Sequence, residues 1–230
     1  MKRISHNTYA TVFGVAYLGL MTNLLLLASC LPFVVLLVIT DPALSWPMLA
    51  VVAPLCAPGI TAAFATFRAH GEGENRVVRT FLRSWKRSWR KAMLLGVVVT
   101  AGLVVVLVDV RFFAPLQAGV AVVPVLAVLT VVLLAGALVA FAALAEEPDA
   151  GLRRIARASL YLSVRRWWLS LVSLAVIALQ AGLFVTMPAI ALGLTAAPAL
   201  YLAWANARYI LRPVLGDPEP ARARPAHHSV

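Results

Sequence analysis

The chain has 230 residues, of which 62% are apolar and only 13% charged, with a mean hydropathy of +0.91. A soluble domain of this length needs far more polar surface, so these values exclude that class and place the chain among integral membrane proteins. The net charge of +11 sits in the gaps between apolar runs, which points to anionic lipid and not to nucleic acid as its partner.

About 20 apolar residues rising 1.5 Å each are needed to cross ~30 Å of hydrocarbon. The basic start MKRISHNTYA leads into an apolar run too long for a signal segment and without an A-x-A-like cleavage site, so 12–39 is read as a retained first span. Pro32 is placed to kink it. Residues 40–46 (TDPALSW) form a turn, and 47–67 form a second span that Pro54, Pro58 and Gly59 make irregular. A polar loop, 68–75, follows.

Residues 74–91 (ENRVVRTFLRSWKRSWRK) then run without a break into a third span, 92–108. Val77, Phe81, Trp85 and Trp89 share one helical stripe, opposite Arg76, Arg79, Arg83, Lys86, Arg87 and Arg90. A basic, Trp-bearing amphipathic helix of this kind belongs at the water–lipid boundary. The fourth span, 118–145, ends at the acidic loop EEPDAG, which leads into a second basic segment over 152–168. There Arg165, Arg166 and Trp168 repeat the theme. A shift of 79 residues sets Ser84, Lys86, Arg87 and Trp89 on Ser163, Arg165, Arg166 and Trp168, a weak internal repeat. The following 45 or so apolar residues are too long for one crossing, and Pro188 divides them into spans 168–187 and 189–211. A disordered tail is predicted over 212–230.

Six spans with both termini inside put 19 of the 20 basic residues on one face and leave Arg111 alone on the other. The positive-inside rule therefore predicts an all-α, polytopic bundle of six transmembrane helices in three hairpins, with basic amphipathic interfacial helices before spans 3 and 5. Residues 1–211 form one membrane domain in this reading, placed in a bacterial plasma membrane with N- and C-termini cytoplasmic.

The search for chemistry returns little. His6, His70, His227 and His228 lie in loops or termini, and no hydrolase, zinc-protease, P-loop or C-x-x-C pattern appears. Cys30 and Cys56 read as free thiols acting as small hydrophobes. Every carboxylate lies outside the spans or at their ends, which leaves no proton relay. No catalytic residue, metal site or cofactor is expected, and the chain is not read as an enzyme. Intramembrane polar side chains serve first as helix–helix hydrogen-bonding groups. Asn23, Thr61 and Gln180 are the candidates for a polar cavity, with the broken second span as the pointer.

Three stretches carry a family resemblance: 21–33 (MTNLLLLASCLPF), 58–64 (PGITAAF) and especially 80–96 (TFLRSWKRSWRKAMLLG). In these the chain resembles the YesL-like family of bacterial integral membrane proteins, whose function is unknown. The resemblance covers about the first 110 residues. Gly59 and Ile60 interrupt the family's P-A-T-A spacing. Family members are often encoded beside carbohydrate ABC-transport genes, so the resemblance implies an accessory role in sugar uptake and transporter subunits as partners. It supplies no binding residues. The second reading is a stand-alone small-solute channel or facilitator, working as a homo-oligomer.

Overall fold

The computed structural model describes residues 6–215, with side chains over 13–212. It is all helical: α1 His6–Ser29, α2 Leu31–Ile39, α3 Pro42–Val52, α4 Ala57–Gly71, α5 Val77–Phe113, α6 Gly119–Glu146, α7 Leu152–Arg165, α8 Trp167–Thr186, the short α9 Pro188–Ile190 and α10 Ala196–Leu215. A 3₁₀ turn, Ala53–Cys56, joins α3 to α4, and a π turn, Ala191–Thr195, joins α9 to α10. Five segments are long and apolar enough to cross a membrane: Pro42–Gly71, Val77–Phe113, Gly119–Glu146, Trp167–Thr186 and Pro188–Arg212. The pair α1–α2 is the sixth if it is counted as one span. The chain is thus an all-α polytopic bundle.

The first span, over 12–39, is bent near Pro32, where the sequence places a kink. α1 and α2 meet at Cys30 with a bend of 74°. Pro32, in the first turn of α2, brings no N–H, and its ring would crowd the carbonyl four residues back if the helix ran on. The second span is broken where Pro54 enters the 3₁₀ turn and Pro58 restarts the helix. The two breaks lie beside each other: Cys30 and Cys56 line the same cavity, and both cysteines are free.

The basic segment before span 3 is no separate interfacial helix. It is the first half of α5, 37 unbroken residues and about 56 Å long. No proline, and no glycine before Gly96, interrupts Val77–Leu95, so nothing turns the segment onto the membrane plane. The second basic segment is different. α7 stops at Arg166, whose φ of −115° and ψ of 48° lie outside the helical region, and α8 starts anew. The two copies of the sequence repeat therefore have different backbone geometry.

α4 is the centre of the molecule. It packs against α1, α5, α6 and α10, and from Ala57 to Phe67 every residue but Ile60 is buried. Its small residues let the neighbouring backbones come close, which in lipid is the main source of helix association. α6 shows how the core is placed. Its first half is largely exposed, whereas all of Ala135–Ala145 except Leu138 is buried. The packed core lies at one end, where the loops 72–76 and 147–151 and the C-terminal half of α10 gather. The opposite halves of α5 and α6 face outward.

Of the tail predicted over 212–230, residues 212–215 are helical, because α10 continues to Leu215; residues 216–230, with His227 and His228, lie outside the described residues, as do Lys2 and Arg3.

A Cβ at Gly96 would press on Ala57 Cβ and on the backbone of Pro54, which cannot give way. Gly96→Val is therefore expected to destabilise the fold by about 1–3 kcal/mol, read as a lower melting temperature of the detergent-solubilised protein. Gly182→Ala, with nothing within 4 Å of the new atom, is the control and should melt at or above the original temperature.

Candidate functional site

Two features stand out: the charged end of the bundle and an apolar cavity near the π turn. At the charged end, the last carbonyls of α6 have no intrahelical donors. A cation supplies them. Arg68 Nη1 donates to the carbonyls of Ala145 and Glu146, both at 2.8 Å. In the loop that follows, Lys91 Nζ donates to the carbonyls of Pro148 (2.7 Å) and Ala150 (3.0 Å). The Glu146 side chain, only 10% exposed, lies 4.0 Å from Arg68 and 3.9 Å from Arg208. One carboxylate thus ties α4, α6 and α10 together. Arg208 also lies over the Trp204 ring at 5.4 Å.

Arg166 is a structural clamp as well. Pro213 has no N–H to give the Tyr209 carbonyl, its α-helical acceptor four residues back. Arg166 Nη1 donates to that oxygen at 2.9 Å and lies over the Tyr209 ring. The predicted partner group Arg165, Arg166 and Trp168 is thereby split, with Arg165 and Trp168 exposed and Arg166 engaged.

The stripe on α5 is also redistributed. Val77 and Phe81 are buried in the core, and the Trp85 indole N–H donates to Ser29 Oγ at 3.2 Å. Trp89 packs on Trp85 with ring centroids 4.5 Å apart. The apolar stripe thus faces protein more than lipid, because α4 and the end of α1 cover it. Arg76, Arg79, Arg83, Lys86, Arg87 and Arg90 are all exposed on the opposite side. Of these, only Arg87 has an acidic partner among the described residues, Asp149. Trp85, Trp89, Lys86, Arg87, Arg90 and Lys91 border a shallow pocket of about 500 Å³ at the start of the apolar half of α5.

The larger cavity, about 840 Å³, lies between α2, α8 and α10, and Cys30 and Cys56 are on its wall. Asn23 and Gln180 line it too, but their amides are occupied. In a π ladder the donor to Gly193 O would be residue 198, which is a proline. Asn23 Nδ2 donates to that carbonyl at 2.9 Å, while its Oδ1 accepts from Ala197 N at 2.6 Å. Gln180 Nε2 donates to Ala191 O at 2.7 Å, and its Oε1 accepts from Thr195 Oγ1 at 2.8 Å. Thr61 does not reach the cavity; it is fully buried and donates to Ala57 O at 3.0 Å. The three residues expected to form a polar cavity are therefore not assembled as one. Two of them clamp a bulged helix, and the space beside them has hydrocarbon walls.

Fold and site together define a polytopic helical membrane protein with one packed, strongly basic end. The family described as "Protein of unknown function, DUF624" matches residues 19–110, from the middle of α1 nearly to the end of α5. This is less than half the chain, and it is the same region that carries the YesL-like resemblance, with which it is compatible. No curated protein and no solved structure matches the chain.

Two outcomes test these assignments. Asn23→Leu and Gln180→Leu each strip the π turn of its partners and should lower stability by about 1–2 kcal/mol, measured by thermal unfolding in detergent. Arg68→Met removes both the carbonyl donor and one charge beside Glu146, with an expected loss of about 2–3 kcal/mol. Adding Glu146→Gln to it should cost less than the sum of the single changes, because the two residues share one network.

Proposed function

We propose that this is a non-enzymatic membrane component that works as an accessory to an importer, with the basic end as its anchoring and docking surface. The observation that carries the reading is the division of labour among the cations. Arg68, Lys91, Arg166 and Arg208 are engaged with carbonyls, rings or Glu146. Arg76, Arg79, Arg83, Lys86, Arg90, Arg153, Arg154, Arg157 and Arg165 have no acidic partner among the described residues. Charge held outside the fold's own bonding serves something outside the fold. Positive-inside bias puts that end in the cytoplasm, at the inner leaflet of a bacterial plasma membrane. The YesL-like resemblance supports carbohydrate import as the process and transporter subunits as the partners. The engaged amides of Asn23 and Gln180 favour this over a polar-solute facilitator, since the cavity lining is predominantly apolar.

The affinity-tagged protein, solubilised from its own membranes, should bring down a permease or ATP-hydrolysing subunit of a carbohydrate importer, identified by mass spectrometry. Reconstituted alone in liposomes, it should give no sugar flux above that of empty vesicles. Flux from the protein alone would replace this reading with the facilitator. Near an anionic leaflet each Lys or Arg contributes ~1 kcal/mol. Lys86→Gln with Arg90→Gln should therefore reduce the anionic lipid retained by the purified protein, as counted by native mass spectrometry.

A further inference from the structure

The exposed cations of α5 do not all sit where a membrane could use them. Counting back from Ala92, where the apolar half begins, Arg90 and Lys86 lie about 3 and 9 Å from the hydrocarbon edge along the helix axis. Arg83, Arg79 and Arg76 lie about 14, 20 and 24 Å from it. The headgroup layer is only some 5–7 Å deep, and charge on a leaflet is screened within about 8–10 Å. Even at a 40° tilt Arg76 stays roughly 18 Å away. A leaflet accounts for the proximal cations but not for the distal ones.

The distal surface also carries apolar side chains. Val78 and Leu82, 37% and 46% exposed, flank the stripe of Arg76, Arg79 and Arg83 on a part of the helix that stands in water. Their neighbours Val77 and Phe81 are buried against the core, so this is a second apolar edge that the fold covers only in part. Arginine is enriched at protein–protein interfaces, and here it stands beside partly exposed aliphatic groups, whereas a phosphate backbone would need the cations alone.

We infer that Arg76, Arg79, Arg83, Val78 and Leu82 form a docking surface for an acidic, apolar-edged face of a cytoplasmic protein, distinct from the lipid-facing group around Lys86 and Arg90. The occupant follows from charge complementarity and from the partly exposed aliphatic edge. The inference rests on the proposed function only in placing this end in the cytoplasm.

The test uses the full chain in its own membranes, with a photo-crosslinking amino acid in place of Leu82. Mass spectrometry of the adducts should find another protein joined through a segment rich in Asp and Glu. Arg76→Glu, Arg79→Glu and Arg83→Glu together should reduce that adduct roughly tenfold or more, while Lys86→Gln with Arg90→Gln should leave it within about twofold. Adducts only to lipid, to RNA or to a second copy of this chain, or no adduct at all, would overturn the inference. So would equal loss in the two variants. An acidic partner that is not an importer subunit would keep the docking surface and sink the importer reading instead.

Discussion

The fold depends on α4 having no lipid-facing side. A helix surrounded by four others through small residues is held by close packing contact. That contact is possible because α4 is built from small residues and because Gly96 lets α5 approach the backbone at Pro54 and Ala57. Gly59 does the same for α1, since a Cβ there would collide with Ser29 Oγ. Once α4 is enclosed, the C-terminal half of α6 and the first half of α5 are drawn in around it, and the core comes to lie at one end of the bundle.

Breaks in the helices create the second demand. Each proline or helix terminus frees a carbonyl that needs a donor from elsewhere. The chain answers with side chains from distant positions: Asn23 and Gln180 at the π turn, Arg68 at the end of α6, Lys91 in the loop after it, and Arg166 opposite Pro213. These residues look like functional candidates in one dimension because they are polar in an apolar context. In three dimensions each is engaged with the backbone it repairs. The cavity beside them is consequently apolar, and the capacity for interaction shifts to the cations left over.

Those cations are sorted by one property of α5. A helix that is at once a span and a basic rod cannot lie on the membrane surface, so its charges occupy a range of heights. On the proposed reading the proximal ones meet headgroups, and the distal ones reach past the screening distance of the leaflet. α7 differs. Its break at Arg166 frees it from the axis of α8, and it lies along α6 with Ile155, Ser159, Leu162 and Ser163 buried. Similar sequence at the two positions thus yields a projecting surface in one and a surface packed along the bundle in the other.

Much of this was legible without coordinates. Composition alone pointed to an all-helical membrane bundle, because apolar runs of twenty residues have few other stable forms. The irregularity around Pro54 and Pro58 and the turn at Met187–Pro188 follow from the missing proline N–H, a local property. The orientation of the α5 stripes could be counted from the 3.6-residue period, but not what covers the apolar one, since Ser29 is 56 residues from Trp85. The same holds for Asn23 and Gly193, which are 170 residues apart. Helical class, the basic ends and the places where the backbone must break are written along the chain, each within a window of a few turns. Which polar groups repair those breaks, and which remain free, emerges only when the helices are packed, because a hydrogen bond between distant segments depends on where the helices lie and not on the order of the chain.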